Sequence, residues 1–509
     1  MPDYMFLLES RLSPEQRAAL ERVQELSRSQ DLNIYLTGGA VRDLISGQWI
    51  RDLDFTVEGN PAREARELEK GGARIVWESE RLRHYEMLFA GDVEGSISAA
   101  RDDVYDHPGA KPEYHFTGIM EDLRRRDFSV NAIAISLNAQ SRGLLLDPTN
   151  GLADLERQEV RSLSIHGFTN QPVRLLRILR YCARMGFKME ARTQEWFDLA
   201  MERRLHEKLE GPGVGEDFRS LAREDNPAAT LKPWESHGLL AAIHPQLQRR
   251  KPDYDSLNKL ARVYSNLRGA GIRPRLARPI MYYTLARLKP RDAAAAMRHM
   301  ELRTGVAEDV ENLIPDAQKV VRALKSHKTD SPREAYAYID SLPAEMLAFV
   351  EVELPHPRAL SKIRNYVQKW RPMRLALPIG ELDSLGIPRG AKFDKILEQL
   401  FELQLRGRAR TPEDRTKALR QFAGIKEEPK KKPEKEKKKR AAKGEGSASS
   451  PADSKAATDH PHKPETSKTI GAKPQPKSEK AAAAQGSQGH AGAARSKAKP
   501  HAAKKANRR

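Results

Sequence analysis

Strand-like segments occur only in the first third of this 509-residue chain, and this distribution constrains the fold more than any other feature. They are short runs of β-branched or alternating apolar residues, bounded by glycine or charged residues. The segments are NIYLTGG (33–39), RDLDFTV (51–57), HYEMLF (84–89), GSISAA (95–100) and FSVNAIAIS (128–136). The third and fourth predict a hairpin across AGDVE. Because no segment after Gly167 predicts a strand and helical periodicity continues to about residue 425, we expect an α+β fold with an all-α extension.

The length of the chain predicts several domains, since single hydrophobic cores stop growing near about 250 to 300 residues. We expect a helix within residues 1–29 and the strand-containing unit within residues 30–160. Helices of residues 161–250 and 251–425 follow, with a weak boundary at the charged stretch RRKPDYDS.

Residues 426–509 differ from the rest in composition and charge. They contain 23 Lys and Arg against 9 Asp and Glu, which is most of the formal net charge of +19, and Ile470 is their only large aliphatic residue. Such a segment cannot bury enough apolar surface to fold, so we predict a disordered basic tail. It either adds sequence-blind affinity for RNA or serves as a solubilising appendage.

The single cysteine and the hydropathy pattern indicate the compartment. Cys182 alone excludes an internal disulfide framework and a thiolate zinc site, and it fits a reducing environment. No window approaches the ~18 apolar residues of a membrane span, and the first residues lack a signal-peptide layout. We therefore expect a cytoplasmic protein.

Two aspartates lie two residues apart in the predicted strand RDLDFTV. Asp52 and Asp54 point to one face of that strand, while Leu53 and Phe55 point to the other. Two close carboxylates repel one another, and a divalent cation removes this conflict. Their hard oxygen atoms suit Mg²⁺, which usually takes one or two carboxylates together with water and substrate phosphates.

A glycine pair just before this strand predicts a phosphate-binding turn. Gly38 and Gly39 allow close approach of the backbone, and a helix beginning near Ala40 points amide donors toward the same place. The glycine pair and the two aspartates are each a weak signal alone. Because they occur together within 22 residues, we favour a nucleotide site over the alternative that Asp52 and Asp54 are solvated residues of a turn.

These residues resemble a known family. Gly38-Gly39-x-Val41-Arg42-Asp43 followed by Asp52-x-Asp54 is similar to the first motif of the class II tRNA nucleotidyltransferases and poly(A) polymerases, which have a polymerase-β type head with a mixed sheet. The supporting segments are RRDFSVNAIA (125–134), DPTNGLADL (147–155), VRLLRILRYCARMGF (173–187) and HGLLAAIHPQL (237–247). The resemblance covers about residues 30–250, which it divides into head and neck, and residues 251–425 match only as a helical body.

The resemblance implies roles for the motif residues. Asp52 and Asp54 would hold two metal ions for attack of an RNA 3′-hydroxyl on a nucleotide α-phosphorus. The residues expected to contact the triphosphate are Gly38, Gly39 and Arg42, and those expected to position ribose and phosphates are Arg126, Asp127 and Asn131. The alternative for Asp127 is an internal ion-pair network. For Asp147 and Asp154 we favour bracing of the head against the neck.

One departure from the family concerns the third acid of the head. It is expected five residues before Arg101, where this chain has Ser96. Glu94 lies on the same face of an extended strand. We expect Glu94 to replace the missing ligand in part.

The second departure concerns the base-reading motif Glu-Asp-x-x-Arg, which here reads NQPVR. Asn170 and Gln171 replace the acids, and Arg174 remains. Gln171 can accept beside the Arg174 donors, as the acid does for cytosine and adenine, but a flipped amide also suits uracil and guanine. We predict preference for A and C with weaker rejection of U and G.

Three functions remain open from the sequence. The first is addition of C, A or both from CTP and ATP to the 3′ end of tRNA. The others are a poly(A) polymerase acting on general RNA and a catalytically weakened descendant that only binds RNA.

Overall fold

A computed structural model describes residues 3–302 and 305–425 of the chain. The predicted basic tail, residues 426–509, lies outside the described residues. Within them, no helix is both long and apolar enough to cross a membrane.

A seven-stranded sheet forms the centre of the first part of the chain, with strand order β3-β4-β5-β2-β1-β8-β9. The strands are β1 Asn33–Thr37, β2 Leu53–Glu58, β3 Arg74–Ser79, β4 His84–Phe89, β5 Val93–Ala99, β6 Arg101–Val104, β7 Glu113–Phe116, β8 Ala134–Ser136, β9 Leu145–Leu146, β10 Glu159–Val160 and β11 Lys188–Met189. β2 and β5 pair in parallel and the other neighbours pair antiparallel, which confirms the mixed sheet. The hairpin of β4 and β5 is also confirmed.

The prediction that no strand follows Gly167 is wrong in one place. β11 pairs in parallel with β10 and forms a separate two-stranded sheet. Two residues are too few to show the alternation of a strand, so the sequence carries no signal for it.

The strands of the main sheet alternate between a buried and a polar face. Phe55 on β2, Tyr85 and Met87 on β4, and Ile97 on β5 are buried in the apolar core. The intervening positions carry polar residues, among them the predicted site residues Asp54 on β2 and Glu94 on β5. This alternation is the period of two that a half-buried strand requires.

Two helices, rather than the single one expected in residues 1–29, precede β1. These are α1 Tyr4–Arg11 and α2 Pro14–Ser29. Ser13 separates them because its side chain accepts from the Gln16 amide, and Gln16 bonds back to the Ser13 amide. Leu20 and Val23 of α2 pack into the core.

Four helices connect strands in the first part of the described chain, and a second group of helices follows from residue 167 onward. The first group is α3 Gly39–Ile45, α4 Ala62–Lys70, α5 Ile119–Arg124 and α6 Gly151–Arg157. The second group is α7 Gly167–Asn170, α8 Arg174–Met185, α9 Ala191–Glu202, α10 Gly211–Leu221, α11 Pro227–Ser236, α12 Tyr254–Gly269, α13 Ala277–Leu285, α14 Pro290–His299, α15 Val306–Glu311, α16 Leu313–Lys325, α17 Pro332–Asp340, α18 Ala344–Glu353, α19 Pro357–Asn365, α20 Arg371–Leu375, α21 Ile379–Ser384, α22 Ala391–Leu405 and α23 Pro412–Ala423. A π-helical turn, Tyr366–Trp370, joins α19 to α20.

Helix α8 attaches this helical part to the sheet. Its apolar side is fully buried and packs against α11, where the Trp234 indole donates to the Leu176 carbonyl at 2.9 Å. Its other side carries the arginines that face the site. The all-α extension is thereby confirmed, except for β11.

Candidate active site

Asp52 and Asp54 lie on the polar face of the sheet, as the spacing predicts. Leu53 and Phe55 between and after them are fully buried on the other face. Asp54 pairs in register with Ser96 on β5, and the Ser96 hydroxyl donates to Asp54 Oδ1 at 2.7 Å. Burial and the neighbouring charge of Asp52 raise the pKa of Asp54 to about 7. The two carboxylates therefore repel one another, as their spacing predicts.

Two glutamates share this face. Ser96 also pairs in register with Glu86 on β4, so that Asp54, Ser96 and Glu86 form a row across three strands. Glu94 lies two residues before Ser96 on the same face of β5. We call Asp52, Asp54, Glu86 and Glu94 the acidic face. Glu86 was missed from the sequence, although the alternation of HYEMLF already places it opposite the core residues of its strand.

Arg223, which follows α10, supplies positive charge to the acidic face. Its guanidinium lies 3.4 Å from Asp52 Oδ2 and 2.9 Å from a Glu94 carboxylate oxygen. Arg275 lies 3.5 Å from the same Glu94 carboxylate. Burial opposes ionisation of Arg223, but Glu94, Asp52, Asp54 and Glu86 together raise its pKa. No sequence signal points to Arg223, because 171 positions separate it from Asp52.

The donor set of the acidic face fits a hard divalent cation. Carboxylate oxygens are its only ionisable donors, and the Arg223 guanidinium already lies there as a compensating cation. Among residues 3–302 and 305–425, no three His, Cys, Asp or Glu side chains are arranged as a complete metal site.

The glycine pair lies beside the carboxylates. Gly38 precedes α3 and has φ +67°, a backbone conformation that residues with a side chain rarely adopt. A Cβ atom on Gly38 would lie 3.2 Å from Arg126 Nη1, and one on Gly39 would lie 3.8 Å from Asp52 Oδ1. The structure thus brings the first and second motifs together at this turn.

Arg42 lies below this turn and is 2% exposed. Its guanidinium donates to Asp43 Oδ1 at 2.8 and 2.9 Å and to Asn131 Oδ1 at 2.6 Å. It also lies over the ring of Tyr181. Contact of Arg42 with a triphosphate stays a prediction.

The second motif joins the head to α8. Arg126 donates to Asp122 and, through Nη2, to Thr56 Oγ1 at 3.2 Å. Asp127 accepts from Asn131 Nδ2 and from Arg177 Nη1, both at 3.1 Å. Burial opposes ionisation of Asp127, but Arg177 and Arg174 hold its pKa below the ordinary value. The described contacts of Asp127 are those of the internal network.

The third motif makes structural contacts. Asp147 accepts from the amides of Gly151 and Leu152 at the start of α6, at 2.7 and 2.9 Å. Asp154 is 1% exposed and accepts from Ser129 Oγ at 2.5 Å and Arg161 Nε at 2.8 Å. Asp154 therefore joins the second motif to the segment that leads into the helices, as the bracing role requires.

The remaining arginines of α8 form buried ion pairs. Arg177 and Arg180 both contact Asp217 of α10 at 3.2 Å, and Arg180 also contacts Glu224. Arg184 pairs with Asp43 beneath the glycine turn. These arginines therefore hold α8 between the sheet and α10.

Arg174 and Gln171 lie together, as the base-reading motif requires. Arg174 Nε donates to Gln171 Oε1 at 3.1 Å, and burial lowers the pKa of Arg174. Pro172 favours extended backbone at Gln171, whose φ and ψ are −138° and 84°. Tyr105, which follows β6 and was missed from the sequence, accepts from Gln171 Nε2 at 2.9 Å.

Comparison with known proteins places residues 34–161 in the poly A polymerase head domain. An A-adding tRNA nucleotidyltransferase of Geobacter sulfurreducens is 23% identical over 403 residues, 78% of this chain and 46% of that protein. One of Aquifex aeolicus is 32% identical over 232 residues, 46% of this chain and 28% of that protein. A CC-adding tRNA nucleotidyltransferase of Deinococcus radiodurans is 35% identical over 180 residues, 35% of this chain and 47% of that protein. The chain spans less than half the length of each of these relatives.

Proposed function

We propose that this chain, which belongs to the class II tRNA nucleotidyltransferase and poly(A) polymerase family, adds C, A or both to the 3′ end of tRNA. CTP and ATP would be the donors, and pyrophosphate the leaving group. The observation that carries this proposal is that Asp52 and Asp54 lie together beside the Gly38–Gly39 turn. Both lie in the segment that matches the poly A polymerase head domain. The two A-adding relatives support A addition, and the CC-adding relative supports C addition.

Nucleotidyltransferases of this superfamily use divalent metal ions. We propose Mg²⁺ here, held by Asp52 and Asp54. When bound, the ions activate the 3′-hydroxyl and neutralise charge that develops on the phosphates. Asp52 supplies a carboxylate that is partly exposed, and the Asp54 carboxylate accepts from the Ser96 hydroxyl beside it.

Two glutamates of the acidic face, Glu86 and Glu94, could serve as the third acidic metal ligand. Glu94 remains our proposal for the ligand, and it must leave Arg223 and Arg275 to take that role. Glu86 lies in the same row as Asp54 and provides a matched comparison on the neighbouring strand. A higher Mg²⁺ concentration for half-maximal activity in Glu94→Gln but not in Glu86→Gln would support Glu94, and unchanged activity and metal dependence in Glu94→Gln would exclude it.

We propose that the remaining motif residues form the nucleotide site. Gly38, Gly39 and Arg42 would contact the triphosphate, while Arg126, Asp127 and Asn131 would position the ribose and phosphates. Gln171 and Arg174 read the base edge and prefer adenine and cytosine. The short contact between Arg42 and Asn131 supports a shared role for the first and second motifs.

The rest of the proposal concerns the RNA and the compartment. We assign the head to residues 30–160, the neck to 161–250 and an RNA-binding body to 251–425. The basic tail would add salt-dependent affinity for RNA. The cytoplasm is the proposed location, since the substrate is tRNA and a single free cysteine fits a reducing compartment.

An extension assay with Mg²⁺ tests the function. The RNAs are tRNA ending before CCA, tRNA ending in CC, and an unstructured RNA, each with single nucleotides and with mixtures. Addition that stops at CCA or at one A supports the proposal, and a long A tract on any RNA would replace it with poly(A) polymerase. RNA binding without incorporation would identify the RNA-binding descendant. Asp54→Asn is the inactive control.

A further inference from the structure

Trp49 is an exposed aromatic residue in the turn that leads from α3 to β2. It is 40% exposed, whereas Ile50 after it is buried. The backbone on both sides of Trp49 is fixed, because the Gln48 amide donates to the Asp43 carbonyl at 2.8 Å and the Ile50 carbonyl accepts from Gln16 Nε2 at 2.9 Å. The turn therefore holds an apolar ring at the surface in a defined position.

An arginine from the helical part of the chain lies over this ring. The Arg273 guanidinium carbon is 3.7 Å from the centroid of the Trp49 ring, which is the distance of a cation–π contact. Arg273 and Arg275 are exposed, while Ile272 and Pro274 next to them are buried. The segment before α13 therefore alternates as an extended chain does, and Arg273 and Arg275 point to the same side.

The pair of Trp49 and Arg273 lies beside the acidic face. Asp52 follows Trp49 by three residues, a span of at most about 11 Å along an extended backbone. Arg275, on the same side of its segment as Arg273, lies 3.5 Å from a Glu94 carboxylate oxygen. The ring and its arginine are therefore within reach of the RNA end that the proposed reaction brings to Asp52.

The chemistry of the pair suits an unpaired nucleotide. Unpaired bases stack on aromatic rings and on guanidinium planes, and this stacking tolerates any base because every base has a π face. The positive charge of Arg273 attracts the phosphate that accompanies the base. A base inside a duplex is already stacked between its neighbours and offers no free face. In the proposed reaction, the RNA strand that carries the 3′-hydroxyl to Asp52 and Asp54 supplies unpaired nucleotides.

We propose that Trp49, together with Arg273, is a stacking site for an unpaired nucleotide next to the 3′ end of the RNA substrate. The inference rests on the proposed function, since it concerns the strand whose end reacts. The site adds affinity for a single-stranded 3′ end without regard to its sequence. It leaves the choice of the donor nucleotide to Gln171 and Arg174.

Equilibrium binding of RNA by the full chain, without a donor nucleotide, tests the inference. One RNA is a hairpin with an unpaired 3′ extension, and the other is the same hairpin with abasic nucleotides in that extension. Both keep the phosphates, but the second has no base to stack. Trp49→Ala should weaken binding of the first RNA by about 5- to 150-fold, the effect of one lost stack, and leave binding of the second unchanged. Trp49→Phe keeps a ring and should restore most of the affinity.

The controls separate stacking from a structural role. Trp77→Ala removes another exposed tryptophan, on β3 at the edge of the main sheet, and should leave binding of both RNAs unchanged. Equal weakening of both RNAs by Trp49→Ala, or no weakening of either, overturns the inference. A raised KM for ATP and CTP with unchanged RNA binding also overturns it, because the ring would then stack on the donor nucleotide. Failure of wild type to extend tRNA refutes the proposed function instead, and RNA binding then still decides the inference.

Discussion

Glu64 on α4 makes the stability of this protein depend on pH in an unusual direction. Its side chain is fully buried, Oε1 accepts from the Ser27 hydroxyl, and Oε2 has no hydrogen-bond partner within the described part of the chain. Burial raises the pKa of Glu64 from the ordinary 4.5 to about 7, and the Ser27 hydrogen bond opposes this only in part. The folded protein therefore favours the protonated acid.

The direction in which the free energy of unfolding changes with pH follows from proton binding. Between pH 4.5 and about 7 the folded state keeps the proton that the unfolded state has lost, so the free energy of unfolding falls as pH rises. At about 1.4 kcal/mol for each pH unit, the loss is about 3 kcal/mol once pH exceeds the folded pKa. Glu64→Gln keeps the shape and the acceptor for Ser27 but cannot ionise. We expect its stability relative to wild type to rise by this amount between about pH 5 and pH 8.

Urea denaturation of both proteins across this pH range measures the effect. The difference between them isolates Glu64, since Asp54 and the other titrating groups are common to both. Glu69→Gln, which removes an exposed glutamate on the same helix, is the matched control, and it should change the free energy of unfolding by less than about 1 kcal/mol. The reasoning would be refuted if the free energies of unfolding of wild type and Glu64→Gln differed by a constant amount from pH 5 to pH 8.

Three further outcomes are expected. Asp54→Asn should lower nucleotide incorporation by about 10³-fold, while RNA binding measured by gel shift persists; residual activity above a tenth of wild type would contradict its role. Arg177→Ala should lower the free energy of unfolding by about 3 kcal/mol, because Asp127 loses its ion-pair partner and Asp217 keeps only Arg180, against less than about 1 kcal/mol for the exposed pair removed by Arg22→Ala. Cys182, whose pKa burial raises to about 12, should react with a thiol reagent at pH 8 more slowly in the folded protein than in the urea-unfolded protein.

The local features of the site could be predicted from the sequence, because they depend on residues close together in the chain. The period of two placed Asp52 and Asp54 on one face, and the apolar alternation gave the hairpin that holds Glu94. The contacts that define each side chain's surroundings could not be predicted in this way. Arg223 and Tyr105 reach the site only through the packing of distant elements, and β11 is too short to produce a pattern.

The ion pairs of α8 also limit how parts of this protein can be exchanged with those of relatives. Arg177 and Arg184 belong to the helical part, while Asp127 and Asp43 belong to the sheet-containing part. A chimera that takes one side from a relative with different residues would bury charges of one sign without their partners. Exchange of the first 160 residues should therefore succeed only when α8 and α10 are transferred with them.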